Sequence, residues 1–341
     1  MVKIGIQLPH EPMELILRAG VYADRNGFDS VFSPDHLVGI GIRDFSCFEP
    51  FTVLGRLSSL TERVLLGTCV SDVVRRHPAQ LLQSAVTLDV LSNGRAVLGI
   101  GAGEGMNLIP FGMDMRYSVS RLEEGLTVIR LLMEGEGVSF RGRFFSLRNA
   151  SISPVRNVKL WIAGNSPKTM ELTAKYGDGW IPTATIGVHG YREALRKIRE
   201  AGGLDVTPAL FAYTVVAESH DEAREMIELP GKMIALLSPK RDEFLRKAGV
   251  EVDFPDLLEF EFNRENVERL IEAAKLVPFE LVEERYIYGS PEDVIDKIER
   301  FISAGATHFV LTPLVRDVHY MDNLRLIAER VIPYLREEYG D

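Results

Sequence analysis

The amino-acid sequence predicts an α/β fold, a (β/α)8 TIM barrel formed by a single domain over residues 1–341. Two observations support this prediction. Eight short apolar runs of strand length alternate with helical patterns, and the count of eight favours a closed barrel over an open doubly wound sheet. In addition, 46% of the residues are hydrophobic, which is enough to bury one large core.

The first third of the chain contains four predicted strands and the helices that connect them. The strands are Val2 to Leu8, Phe28 to Phe32, Val64 to Val70 and Ala96 to Ile100. The connecting helices run from Pro12 to Asn26, from about Phe48 to Leu60 and from Pro78 to Leu91. Proline favours the first turn of a helix, and Ser92-Asn93-Gly94 ends the third helix because glycine adopts the left-handed conformation easily.

The middle of the chain continues the alternation. Ser118 to Glu134 has apolar residues at helical spacing, with Ser120 and Glu123 as a predicted capping box. Phe140 to Phe145 reads as a hairpin that turns at Gly142. The fifth, seventh and eighth strands are Lys159 to Ala163, Leu210 to Val216 and Phe309 to Leu311, and the turn from Gly177 to Pro182 leads into the sixth strand.

The segment before the last strand is too long for one crossover helix. Three helical patterns lie inside it, and they predict a helical insertion at about residues 220–285: Asp221 to Leu237, Arg241 to Ala248 and Glu265 to Ala274. Ser290-Pro291-Glu292-Asp293 then caps a helix from Val294 to Ala304, and a final helix covers roughly Asp322 to Tyr334.

Charge and composition restrict the class of partner. The chain has 39 basic and 49 acidic residues, a net charge of −10, which disfavours nucleic acid and anionic membranes as partners. Only Cys47 and Cys69 are present, and the first residues read as a strand without the apolar core of a signal peptide. We therefore expect a cytoplasmic protein. A small-molecule substrate, a homodimer and the absence of a metal site are separate expectations.

Two strand ends carry the candidate catalytic residues. Ala96 to Ile100 leads into a run in which Gly99, Gly101, Gly103 and Gly105 surround Glu104, so a ligand can approach the backbone beside an acid. Asp35-His36 follows the second strand, at the edge where α/β barrels bind their ligands. A helix cap or an ordinary loop pair is the alternative for Asp35-His36.

Two further segments are candidate anion sites. Arg75-Arg76-His77 follows the third strand, and it is either an anion clamp or an exposed run of charge. Ala163-Gly164-Asn165-Ser166 precedes a helix that begins with Pro167. Its free backbone N–H groups suit a phosphate, and a normally capped helix is the alternative.

These motifs together resemble, over nearly the whole chain, the bacterial-luciferase-like flavin and deazaflavin oxidoreductases. The segments that carry the resemblance are Asp35-His36, Leu91 to Arg95, Gly101 to Glu104, Ala163 to Asn165 and Tyr176 to Trp180. The chain is most similar to the branch that uses coenzyme F420. That branch includes methylenetetrahydromethanopterin reductase and F420-dependent sugar-phosphate and alcohol dehydrogenases.

The resemblance implies the roles of the site residues. His36 and Glu104 match the proton-handling residues of the dehydrogenases, and Glu104 with Asn107 falls in their Gly-x-Gly-Glu-x-x-Asn motif. The reductase typically has an aspartate in place of that glutamate. It also has an acidic residue after its first strand, where this chain has Gln7. The cofactor-binding residues that the resemblance implies are Asp35, Cys69, Val70, Ser71, Asn107, Ala163, Gly164, Asn165 and Ser166, with a non-prolyl cis peptide at Cys69-Val70.

The resemblance implies hydride transfer between F420 and a small organic substrate, with methylenetetrahydromethanopterin as the first expectation. An F420-dependent alcohol dehydrogenase is the alternative within the branch. An FMN-dependent monooxygenase of the luciferase type and a non-catalytic flavin-binding protein are the alternatives outside it.

Overall fold

The computed structural model describes residues 1–39, 46–238, 241–251, 260–315 and 317–340. The twelve strands of these residues are β1 (Lys3–Gln7), β2 (Ser30–Ser33), β3 (Leu65–Thr68), β4 (Ser71–Asp72), β5 (Ala96–Gly101), β6 (Val138–Arg141), β7 (Ser146–Ala150), β8 (Lys159–Ile162), β9 (Gly179–Trp180), β10 (Thr207–Val216), β11 (Ile287–Gly289) and β12 (His308–Pro313).

Eight parallel strands close a barrel in the order β12-β1-β2-β3-β5-β8-β9-β10, because β10 pairs with both β9 and β12. The short strand β4 pairs with the end of β5, and β6 and β7 form a separate antiparallel hairpin. The predicted TIM barrel is therefore confirmed.

The helices of the described residues alternate with the barrel strands, and three of them lie in the insertion after β10. They are α1 (Met13–Arg25), α2 (Pro50–Ser58), α3 (Pro78–Leu91), α4 (Ser118–Glu134), α5 (Pro167–Tyr176), α6 (Gly187–Glu200), α7 (His220–Leu237), α8 (Asp242–Ala248), α9 (Arg264–Lys275), α10 (Pro291–Ser303), α11 (Asp317–Leu326) and α12 (Ile332–Tyr339). None of the helices in the described ranges is long and apolar enough to cross a membrane.

Most predicted helices agree with the structure, but their caps agree only in part. Ser290 and Asp293 form a reciprocal capping box at α10, as the sequence predicts. The box predicted for Ser120 and Glu123 is wrong, because α4 already begins at Ser118 after a left-handed Tyr117 (φ 64°) and has no side-chain cap. Glu123 instead binds the Lys168 ammonium group at 3.0 Å.

Two elements near the end of the chain differ from the prediction. The insertion ends in β11, a strand of three residues that pairs with the end of β10 outside the barrel. A strand this short has no hydrophobic periodicity by which the sequence could predict it. The final helix is interrupted by a π-helical turn at Ile327–Val331, which ends two residues before Pro333. Proline has no backbone N–H, and a wider turn accommodates the missing hydrogen bond.

The core has an outer layer between strands and helices, a separate cluster in the insertion and a small cluster inside the barrel. The inner cluster consists of Phe32, Cys69, Val97, Trp161, Ile181, Ala209, Phe211 and Val310. At Gly99 a Cβ would lie 1.9 Å from the Thr68 carbonyl oxygen, so only glycine allows β3 and β5 to approach so closely. This close approach brings the loops after the two strands together.

Candidate active site

His36 and Glu104, predicted from two separate strand ends, meet at the carboxyl end of the barrel. His36 follows β2 and Glu104 follows β5, and Nε2 of His36 lies 3.5 Å from Oε2 of Glu104. The His36 side chain is 12% exposed, whereas the Glu104 side chain is 43% exposed. The pair is therefore open to a ligand from the side of the glutamate.

Burial gives the two groups unusual proton affinities. It lowers the pKa of His36 to about 4, and the Arg75 cation lowers it further, while Asp35, a backbone hydrogen bond with Val38 and Asp72 oppose this decrease. Burial raises the pKa of Glu104, and Asp72 adds to this effect while Arg75 opposes it. At neutral pH the imidazole is therefore uncharged, and the carboxyl group binds a proton more readily than an exposed glutamate.

Two polar atoms of this pair have no hydrogen bond to any residue that the structure describes. Nδ1 of His36 and Oε2 of Glu104 are buried, and neither has a hydrogen-bond partner among the described residues. Buried polar atoms are nearly always paired, and unpaired ones concentrate at sites that bind ligands. Both atoms are thus available to a substrate or cofactor.

Asp35 lies beside the pair but is already occupied by internal partners. Its carboxylate accepts a hydrogen bond from Ser71 Oγ at 2.6 Å and from Arg75 Nη1 at 3.1 Å. The same guanidinium donates to Asp72 Oδ2 at 2.5 Å. Arg75 is 5% exposed, so its charge balances two buried carboxylates and cannot form the predicted anion clamp.

The neighbouring basic residues are also engaged. Arg76 bridges Asp35 and Glu49, each at 3.1 Å. His77 caps α3 by accepting a hydrogen bond from the backbone N–H of Ala79. The segment is therefore neither the anion clamp nor the exposed run of charge that the sequence suggested, because its charged side chains bind other residues of the protein.

The peptide bond between Cys69 and Val70 is cis, as the resemblance implies. Gln7 donates a hydrogen bond from Nε2 to the Cys69 carbonyl oxygen at 2.8 Å, and Tyr320 Oη donates to the Gln7 carbonyl oxygen at 2.6 Å. Burial raises the pKa of the Cys69 thiol, so the sulfur stays protonated. Gln7 therefore positions the backbone that faces the site.

Asn107 ties together the two loops that carry the catalytic candidates. It is buried, and its Oδ1 accepts a hydrogen bond from the backbone N–H of Leu37 at 2.8 Å. Leu37 follows His36 directly, and Asn107 follows Glu104 by three residues. In this structure the Asn107 side chain acts as a positioning group for the pair, and its predicted contact with a cofactor stays a prediction.

The segment Ala163 to Ser166 lies at the start of α5. Ser166 and Thr169 form a reciprocal capping box that uses the backbone N–H groups of both residues. Trp180 Nε1 donates to the Gly164 carbonyl oxygen at 3.0 Å and holds the loop against β9. The helix is thus normally capped, and the backbone N–H of Lys168 stays directed out of its first turn.

Sequence reasoning missed two residues of the site. His10 follows β1, and its ring centroid lies 5.4 Å from that of His36. Burial, with a contribution from His36, lowers the pKa of His10 to about 3. Tyr213 is on β10, and burial raises its pKa, as do Glu104 and Cys69. The position of His10 after a strand was a usable signal, whereas nothing in the sequence distinguishes Tyr213 from a core residue.

The chain is similar to one protein family and to several enzymes of known activity. Residues 4–308 match the luciferase-like monooxygenase family. The chain is 33% identical over 307 residues to the phthiodiolone/phenolphthiodiolone dimycocerosates ketoreductase of Mycobacterium bovis, covering 85% of this chain and 79% of the relative. It is 31% identical over 354 residues to the F420-dependent glucose-6-phosphate dehydrogenase of Beutenbergia cavernae, covering 98% of both.

Solved structures share the fold at lower sequence identity. An F420-dependent secondary alcohol dehydrogenase in complex with an F420-acetone adduct superimposes with a TM-score of 0.78, at 24% identity over 96% of this chain and 98% of the other. The coenzyme F420 dependent tetrahydromethanopterin reductase of Methanopyrus kandleri also gives 0.78, at 22% identity over 98% of this chain and 99% of the other.

Proposed function

The chain belongs to the luciferase-like monooxygenase family, and on that premise we propose that it is a coenzyme F420-dependent oxidoreductase that interconverts a ketone and a secondary alcohol. The observation that carries the proposal is the pair of His36 and Glu104, with 3.5 Å between Nε2 and Oε2. Relatives named as a ketoreductase and as an F420-dependent dehydrogenase support the reaction class and the cofactor.

The residues of the site fit the deazaflavin. Its flat ring needs a backbone shelf and unpaired polar atoms at its edge, and the barrel offers the Cys69–Val70–Ser71 segment and the free atoms of His36 and Glu104. Its phosphate needs exposed N–H groups, and although Ser166 and Thr169 cap α5, the N–H of Lys168 in its first turn lies outside this capping box. When bound, F420 supplies or accepts the hydride.

The protein's own residues handle the proton that must accompany the hydride. When a ketone is reduced, its oxygen gains negative charge and needs a proton donor. Glu104 can donate the proton from its carboxyl group, whose pKa is raised by burial, and its carboxylate can accept the same proton when the alcohol is oxidised. The neutral His36, with Nε2 at 3.5 Å from Glu104 Oε2, can offer an N–H donor beside it in both directions. Asn107 keeps the two loops in register through its bond to Leu37.

The substrate distinguishes this proposal from the first expectation of the sequence. Methylenetetrahydromethanopterin accepts hydride at an iminium-like carbon, which needs little help from an acid. A carbonyl group uses the acid–base pair fully, so the ketone and alcohol class fits the site better. Reduction of the pterin stays a prediction for the same assay.

The test is a binding and turnover experiment. F420 and FMN are titrated separately by fluorescence, and F420 absorbance is then followed with secondary alcohols, ketones and methylenetetrahydromethanopterin. We expect F420 to bind more tightly than FMN and a ketone or alcohol to turn over. Tighter FMN binding, or turnover of the pterin alone, contradicts the proposal. A cytoplasmic homodimer belongs to the same proposal, and light scattering of the purified protein tests the dimer.

A further inference from the structure

One segment of this acidic protein contains no carboxylate. Residues 137–170 contain six basic side chains and no aspartate or glutamate, within a chain of net charge −10. The basic residues are Arg141, Arg143, Arg148, Arg156, Lys159 and Lys168. Arg156 and Lys168 pair with Asp89 and Glu123 from outside the segment, and the remaining cations can attract an anionic ligand even when the whole protein is negative.

Two arginines at the tip of the β6–β7 hairpin and the start of α4 form a cluster with two aromatic rings. We call Tyr117, Arg121, Arg143 and Phe144 the rim cluster. The Arg121 guanidinium lies 4.8 Å from the Phe144 centroid, and that of Arg143 lies 3.9 Å from the Tyr117 centroid and 5.1 Å from the Phe144 centroid. The rings hold both cations in fixed positions at little cost in entropy.

Neither Arg121 nor Arg143 forms an ion pair within 4 Å with a carboxylate of the described residues, and Nε of Arg121 is buried there without a hydrogen-bond acceptor. At longer range Arg121 interacts electrostatically with Asp114, and Arg143 with Glu124. The nearby carboxylates have other partners. Asp114 binds Arg116, and Glu124 accepts hydrogen bonds from three backbone N–H groups of the hairpin tip.

The rim cluster is connected to the candidate active site. Arg121 lies in the first turn of α4, which follows the loop that contains Glu104. Lys168 in the first turn of α5 binds Glu123, and Phe145 of the hairpin contacts the His77 ring after β4. The cluster thus lies at the rim between the loop after β5 and the start of α5, where the proposed phosphate site is.

We propose that the rim cluster binds the anionic oligo-glutamyl tail of the deazaflavin, outside the sites for its ring and phosphate. The inference rests on the proposed function. Arg75 and Arg76, which the sequence offers as an anion clamp, form ion pairs with Asp35 instead. Their charges are therefore not available to the tail. Arg121 and Arg143 supply the cations, and their fork-shaped donors match carboxylates.

Binding of two forms of the cofactor, one without glutamyl residues and one with a long tail, tests the inference. We expect the wild-type protein to bind the long-tailed form about tenfold more tightly at low salt, because two or more exposed charge pairs contribute roughly two- to fivefold each. High salt should reduce this gain, since exposed charge pairs are screened. Arg121→Gln and Arg143→Gln should each reduce it, and the double variant should abolish it.

The tailless form is the internal control for folding and for the proposed function. Its affinity should be unchanged in all variants, because it does not reach the rim cluster. Arg196→Gln is the matched control on α6, where an exposed arginine binds Glu193 and Glu200. Equal affinity of the wild-type protein for both forms, or a gain that survives in the double variant, overturns the inference. Failure of both forms to bind overturns the proposed function as well.

Discussion

The replacement of Glu104 by glutamine tests the chemistry most directly. Glutamine keeps the size and polarity of the side chain but cannot donate a proton from a carboxyl group. We expect kcat for ketone reduction to fall by roughly 10²–10⁴, the usual contribution of a positioned acid. Cofactor affinity should change by less than about tenfold, because the hydride and the ring contacts do not depend on this proton.

The size of the effect follows from the proton affinity of His36. Its pKa of about 4 means that at pH 7 only about one imidazole in a thousand is protonated. His36 therefore cannot replace Glu104 as the donor without losing a similar factor in rate. Burial raises the pKa of Glu104, so its carboxyl group keeps its proton to higher pH than an exposed glutamate does.

The assay is the pH dependence of kcat in both directions. Wild-type ketone reduction should decrease as the pH rises through the raised pKa of Glu104, and alcohol oxidation should increase over the same range. Both trends should be absent in Glu104→Gln. Glu193→Gln is a matched control, since that side chain is also 43% exposed but lies on α6. A Glu104→Gln variant with wild-type kcat and an unchanged pH profile would falsify the assigned role.

Three further predictions concern the substrate and stability. Glucose 6-phosphate should be a poor substrate, because residues 181–188 contain no lysine or arginine that could bind its phosphate. The loss of one charge-assisted hydrogen bond to the phosphate, about 1.5–3 kcal/mol, weakens binding roughly ten- to a hundredfold. Rapid turnover of glucose 6-phosphate in a deazaflavin absorbance assay contradicts this prediction. Burial lowers the pKa of His308 from 6.5 to about 3. The contribution of His308 to the free energy of unfolding is therefore present above pH 6.5 and is lost as the pH falls below it. Because of this group, the free energy of unfolding should fall by about 2 kcal/mol between pH 7 and pH 5. Urea titrations at both pH values should show a smaller fall for His308→Gln than for the wild-type protein. Asp35→Asn should lower the free energy of unfolding by about 3–5 kcal/mol in the same titration, because Arg75 and Arg76 lose a buried charged partner. An unchanged urea midpoint contradicts this role of Asp35.

The sequence by itself determined the barrel and the two catalytic candidates. Strand lengths, helix starts and glycine stops are local properties, so the alternation of elements is readable without tertiary information. All barrel strands are parallel, so their carboxyl ends lie on one side. For that reason His36 and Glu104, 68 positions apart in the printed sequence, could be expected at the same site.

Only the tertiary structure decided how the polar residues are used. A run such as Arg75-Arg76-His77 has the same local sequence whether it is exposed or buried, and its ion pairs to Asp35 and Glu49 exist only because the barrel closes. The contact of His10 with His36 likewise depends on the packing of β1 against β2. Burial and long-range pairing set the pKa values and partners of these groups, and neither is encoded in the neighbouring residues.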